Sequence, residues 1–137
     1  MVVTRRTEVA TRGQGDAHDV TDLVVSAVAE SQLSAGIATV FVVGSTAAVT
    51  TIEFEPGAVA DLQRALEKIA PVKADYAHNA RWGDCNGYAH LRSALVGTAK
   101  SWPVSNGRVD LGTWQQIVMC DFDDRPRERE ITVTVVS

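Results

Sequence analysis

The sequence predicts an α+β fold: a single compact domain, residues 1–137, in which a mostly antiparallel, sandwich-like β-sheet carries two or three helices. Three observations give that reading. Two stretches with helical apolar spacing lie among strand-like runs in the first part of the chain. The last third reads as strands and turns, and Asn106–Gly107 is a strong hairpin turn signal within it. A chain of 137 residues accommodates one core and leaves little room for a second.

VVTRRTEVAT reads as the first strand, closed by a turn at Gly13–Gly15. HDVTDLVVSAVAESQL follows as a helix, with Val20, Leu23, Val24, Ala27, Val28 and Leu33 near a helical period and Asp19 and Asp22 at its positive end. Ser34 to Gly36 stop it. Two strands come next, Ile37 to Val43 and Ala48 to Phe54, meeting at Gly44–Ser45–Thr46. Pro56 suits a first helical turn, and Val59, Leu62, Leu66 and Ile69 form one stripe on a helix ending before Pro71. Residues 71 to 88 are polar and weakly periodic, and a loop that long is usually functional or mobile. AHLRSALVG is a short helix closed by Gly97, buried through Leu91, Leu95 and Val96. SWPVSNGRV, WQQIVMCDF and REITVTVV complete the sheet, the last two joined through the charged turn DDRPRE. A six- or seven-stranded sheet in so short a chain invites assembly through edges or faces.

The apolar fraction of 45% and charged fraction of 22% are those of a globular protein. Net charge is −4 and no Lys/Arg block stands out, which argues against nucleic acid or an anionic membrane as partner. No apolar run approaches the roughly 20 residues that span a bilayer, and MVVTRRTEVATRG lacks the apolar core of a signal peptide. Cys85 and Cys120 share no CxxC spacing and read as reduced thiols, so a cytoplasmic protein is expected.

Polar candidates cluster in four places. Glu53 and Glu55, beyond Ser45 and Thr46, would share one strand face toward a ligand, or Glu55 would cap the next helix. YAHNARWGDCNGYAH holds His78, Asp84, Asn86 and His90. Two histidines and an acid suit a divalent metal or an acid/base pair, and structural hydrogen bonding is the plainer alternative. In NGRVDLGTWQQ, Arg108 is placed to hold an oxyanion, and Thr113 and Gln115 to face a ligand while Trp114 packs in the core. Asp121, Asp123 and Asp124 lack the calcium-loop pattern and read as a solvated turn laced with Arg125, Arg127 and Arg129, with the alternative that an arginine here reaches a phosphate. Cys85 has no base beside it in sequence and reads as a bystander.

GSTAAVTTIEFEPG, YAHNARWGDCNGYAHLRSALVGT, PVSNGRVDLGTWQQIVMCDFDDRPRERE and the terminal ITVTV jointly resemble the YjbQ-like family, small bacterial and archaeal proteins often labelled secondary thiamine-phosphate synthase enzymes. The resemblance runs from Ile37 onward and implies a YjbQ-like fold, a homotrimer with pockets near subunit boundaries, and a weak ability to replace thiamine-phosphate synthase. That enzyme joins a pyrimidine diphosphate to a thiazole phosphate with loss of pyrophosphate. By position, the family's polar set falls on Glu53, His78, Asp84, His90, Arg108, Thr113, Trp114 and Gln115. Many members carry histidine where this chain has Gly44.

The resemblance supports two accounts. In the first, His90, His78, Asp84 and Glu53 are catalytic, and Ser45, Thr46, Asn86, Arg108, Thr113 and Gln115 bind a phosphorylated small molecule. His78, His90 and Asp84 then hold a divalent cation, magnesium or zinc. In the second, the same pocket of a homotrimer binds a small anionic metabolite without turnover.

Overall fold

The strand-like runs form two antiparallel sheets. The computed structural model describes all 137 residues. In chain order the elements are β1 (Val2–Thr11), β2 (Asp16–Asp19), α1 (Thr21–Ser31), β3 (Ala35–Val42), β4 (Ala47–Ile52), α2 (Pro56–Ile69), α3 (Ala77–Trp82), α4 (Gly87–Val96), β5 (Ala99–Ser105), β6 (Arg108–Val109), β7 (Gln116–Asp121) and β8 (Arg127–Val136). The larger sheet has the order β1-β8-β3-β5-β6 and the smaller β2-β7-β4.

The expected α+β sandwich is therefore present, with eight strands and four helices in place of two or three. The additional helix is α3, which buries none of its residues and so writes no apolar period into the sequence. The additional strand is β2, taken at sequence level partly into the first helix, which begins only at Thr21. Asp19 does serve that helix start, accepting from the Thr21 N–H at 2.9 Å. The hairpin at Asn106–Gly107 is as expected, with φ of 52° and 72° at the two turn residues.

Alternation along β7 explains the layering. Ile117 and Met119 join Val40, Val42, Ile131 and Val133 of the larger sheet and Val24 and Val28 of α1 in the main core. Val118, Cys120 and Phe122 face the other way, against Leu66 of α2 and Tyr88 and Ala89 of α4. A strand buried on both faces reads as one continuous apolar run. The smaller sheet is thus the middle layer. The outer face of the larger sheet carries no helix, and Val2, Ile37, Phe41 and Val136 stand exposed on it in adjacent register.

Two local expectations fail. Leu91 and Leu95 are exposed; α4 instead buries Tyr88, Ala89, Arg92 and Ser93, a narrow face of small and hydrogen-bonding residues against β4. Trp114 is 71% exposed, because Gly112 to Gln115 turn away from the core before β7 begins. β7 and β8 are joined by residues 122–126, yet they belong to different sheets, and that crossing builds the site.

Candidate functional site

Where the chain crosses from one sheet to the other, it buries two carboxylates that sequence reading assigns to a solvated turn. Asp121 and Asp123 are fully inaccessible. Both point inward because Phe122, between them in a strand-like alternation, takes the opposite side and the helix layer. Charges at such depth persist only when paired and hydrogen-bonded, and here every lone pair direction is used. Arg129 gives Asp121 a fork, Nε to Oδ2 at 2.7 Å and Nη2 to Oδ1 at 2.8 Å. Thr11 adds its hydroxyl at 2.6 Å. Asp123 accepts from Arg127 Nε at 2.8 Å, Thr46 Oγ1 at 3.2 Å, the Asp124 N–H at 2.8 Å and Asn86 Nδ2 at 3.2 Å. Burial opposes ionisation of both acids, but these donors outweigh it and hold both well below the ordinary carboxylate range.

The network orders the loop that carries the histidines. Asp123 is a carboxylate and only accepts, so Asn86 must turn its amide nitrogen toward it. Its carbonyl oxygen then faces His78 Nε2 at 3.2 Å, which places the proton of a neutral His78 on Nε2. Asp84 Oδ2 lies 3.5 Å from the same nitrogen. The His78 and His90 rings are 4.2 Å apart between centroids and tilted by 48°. Burial and the neighbouring His78 push the His90 pKa down, against the pull of Asp123 and Asp84, so His90 is a neutral imidazole at physiological pH.

Helix α4 runs beside β4, with the Ser93 hydroxyl donating to Ala47 O at 2.5 Å and the Val49 N–H to Gly97 O at 3.0 Å. His90 lies three residues before Ser93, on the same face of α4. The first N–H of α4, that of Gly87, donates to Asn79 Oδ1 at 2.9 Å.

Arg129 completes this wall. Its Nη2 donates to Thr46 Oγ1 at 2.6 Å. Nη1 takes no hydrogen bond in the protein and lies over Gly44, only 2.5 Å from where a β-carbon would stand. Gly44 has φ +143°, a conformation open to glycine, so the backbone both permits and requires the bare residue. Because no side-chain nitrogen or oxygen sealed from solvent lacks a partner, Nη1 is reachable at the Gly44–Ser45 loop.

Five expected residues therefore come together, Thr46, His78, Asp84, Asn86 and His90, and Ser45 stands exposed next in the chain to Thr46. Four stand apart within the chain. Gln115 reaches Thr51 Oγ1 at 3.3 Å, at the far end of β4 from Thr46, about 17 Å away by strand rise. Thr113 is exposed beside it, and Arg108 is exposed on edge strand β6. Glu53 lies past the end of β4, exposed, and does not share a strand face with Glu55. Glu55 is the α2 cap, accepting from the Gly57 and Ala58 N–H groups. No three His, Cys, Asp or Glu side chains are arranged to hold a metal ion, so His78, His90 and Asp84 do not form a cation cage in this geometry. Sequence reading leaves Asp121, Asp123, Arg127 and Arg129 in a solvated turn and misses the burial of Asp121, Asp123 and Arg129. Their signal was present as acids and bases two apart on either side of Phe122 and Glu128, the spacing of a strand face.

A cavity of about 520 Å³ lies elsewhere, between Arg12, Asp16, Phe54, Pro56 and Gln63, and of the expected candidates only Glu55 lines it.

Residues 5–137 match the family described as UPF0047 protein YjbQ-like. A UPF0047 protein of Methanothermobacter thermautotrophicus is 41% identical over 117 residues, covering 85% of this chain and 80% of its own. One from Methanocaldococcus jannaschii is 32% identical over 130 residues, covering 94% and 91%. A crystal structure of a YbjQ-like protein of unknown function from Sulfolobus solfataricus superimposes with a TM-score of 0.93 at 32% identity, covering 98% of this chain and 96% of that one. With family match, sequence relatives and fold agreeing over nearly its whole length, the chain belongs to the YjbQ-like UPF0047 family.

Proposed function

We propose that the protein binds a small phosphorylated molecule between the Gly44–Thr46 loop and His90, and that this site carries the weak thiamine-phosphate synthase-type activity implied by the resemblance. The observation that carries the reading is Arg129 Nη1, the one nitrogen of a mostly buried guanidinium that is free of partners and open to solvent, uncovered by Gly44. Guanidinium held rigidly at a dry wall is the donor that phosphate oxygens favour. Ser45 lies on the exposed rim beside it.

In that reaction a thiazole nitrogen attacks the pyrimidine methylene carbon. The new C–N bond forms as the C–O bond to pyrophosphate breaks, and the electron pair leaves on the pyrophosphate oxygen. Stabilising that oxygen is the main catalytic task. Arg129 Nη1 and the Ser45 hydroxyl donate to it, and neutral His90 adds an N–H. His78, held by Asn86, limits the His90 ring by a tilted ring contact.

A second reading is binding without turnover, in which the same pocket holds a small anionic metabolite through Arg129 Nη1 and Ser45. Under either reading the working unit is an assembly, a homotrimer by the family resemblance. The uncovered outer face of the larger sheet, with Ile37 and Phe41 exposed, is the surface it would use.

The test pairs rescue with binding. Wild-type protein is expected to rescue growth of a thiamine-phosphate synthase-deficient strain, and inorganic pyrophosphate to raise its melting temperature. His90→Ala should lose the rescue and keep most of the pyrophosphate effect, while Ser45→Ala should weaken both. Pyrophosphate stabilisation without rescue by wild type selects the binding reading. Absence of both overturns the site.

A further inference from the structure

A separate cavity of about 370 Å³ opens between Gln14, Val72, Cys85, Tyr88, Arg92 and Asp124. It lies across the Asp123–Asn86 link from the histidines, and neither histidine, Ser45 nor Thr46 lines it. We propose that it binds a small zwitterion of the amino-acid type, with the carboxylate on Arg92 and Tyr88 and the ammonium on Asp124.

Two nearly buried polar groups line it with capacity to spare. Tyr88 is 3% exposed, yet its hydroxyl takes no hydrogen bond, whereas the hydroxyl of nearby Tyr76 is bonded to Pro71 O at 2.5 Å. Arg92 is 6% exposed and uses two of its three nitrogens: Nε donates to Ala70 O at 3.0 Å, and Nη2 to Ala70 O at 2.8 Å and Glu67 Oε2 at 2.7 Å. Nη1 takes nothing. No side-chain nitrogen or oxygen sealed from solvent lacks a partner, so both groups open onto space that a ligand can enter. The guanidinium is locked over the Tyr88 ring, 5.1 Å from its centroid, so its position is fixed before any ligand arrives.

The opposite wall has the opposite need. Asp123, one residue before Asp124, has its carboxylate saturated by Arg127, Thr46 and Asn86, while Asp124 forms no ion pair. Partial burial and the adjacent Asp123 push the Asp124 carboxyl pKa up, so a cation placed there relieves an existing repulsion. Arg92 and Asp124 face the same cavity without bonding one another. A simple anion would meet Asp124, and a simple amine would meet Arg92. A molecule with both charges satisfies both walls, and this cavity lies at the small end of the ~300–1,000 Å³ that ligand pockets span.

The experiment is an NMR titration of the full isotope-labelled chain with each standard amino acid, using propionate and ethylamine as half-ligands. At least one amino acid should shift the amide signals of Gln14, Cys85, Tyr88 and Asp124, while the half-ligands at equal concentration do not. Tyr88→Phe, which keeps the ring beneath Arg92, should weaken that binding about three- to tenfold. Asp124→Asn should erase the preference over propionate. Ser45→Ala, which weakens the phosphate site, should leave the amino-acid binding unchanged, so the two proposals fail independently. If no amino acid moves those signals, if propionate binds as well, or if Tyr88→Phe binds like wild type, the assignment is wrong.

Discussion

Replacing Asp121 with alanine would strand a buried cation. Arg129, 7% exposed, loses both arms of its fork and keeps only the Thr46 hydroxyl and the more distant Asp123, 3.8 Å from Nη2. The Asp123 N–H, which donates to Asp121 Oδ1 at 3.1 Å, loses its acceptor as well. Removing one partner of a buried pair costs about 3–5 kcal/mol, mostly the uncompensated charge. A domain of this length holds roughly 7–15 kcal/mol in all, so the variant should fold and be severely weakened. The melting temperature should fall by roughly 10–20 °C. Urea denaturation followed by circular dichroism should place the loss in the midpoint, with the slope unchanged. The double variant Asp121→Leu, Arg129→Met removes the whole pair and should recover to within about 1–2 kcal/mol of wild type. A loss below ~1 kcal/mol for Asp121→Ala, or a double variant worse than the single, would refute the view that this network holds the crossing together.

Acid should unfold the protein through the same carboxylates. Asp121 and Asp123 ionise more readily folded than unfolded, so their stabilisation is complete above the ordinary 3.8 and drains away as pH falls through their lower folded values. Thermal melts from pH 7 downward should show the drop, and Asp121→Ala should flatten it. His90 has the same sign in a higher window, since its folded pKa lies below 6.5. Its ring signals in an NMR titration should move only below that pH, and Asn86→Ala, which frees His78, should change where they move. Gly87→Ala should destabilise by about 1–3 kcal/mol, because its β-carbon would meet the Tyr76 side chain at 2.6 Å and Asn79 Oδ1 at 2.9 Å. Equilibrium denaturation reads this directly. Glu55→Ala should cost about 0.5–2 kcal/mol by removing the acceptor for two N–H groups at the start of α2.

How much of this was legible depended on whether a residue's role is set by local spacing. The α2 start at Pro56, the Asn106–Gly107 hairpin and the long flanking strands were readable because each rests on chemistry within a few residues. Their pairing was not readable. Two sheets and one sheet share the same alternation, and only the crossing at residues 122–126 tells them apart. At the site, the histidine loop was visible as a polar segment with function-bearing residue types. Its anchor was invisible, since Asp123 meets Asn86, 37 positions away, and Thr46, 77 positions away. An acidic run beside arginines looks the same in sequence whether solvated or buried. Leu91 and Leu95 misled in the opposite sense, because apolar character alone does not say which helix face a neighbour covers.

Gly44 ties stability to function at this point. Arg129 cannot swing far from the glycine, because Nε and Nη2 are committed to Asp121 and Thr46, and those bonds hold the two sheets at their crossing. A side chain at position 44 must therefore either displace the guanidinium, at the expense of the buried pair, or move the loop that carries Ser45. Bare backbone there leaves the third nitrogen open to an external oxygen without disturbing the other two. The same arginine thus acts inward as a structural clamp and outward as a hydrogen-bond donor. The outward role exists only because the inward one fixes its position.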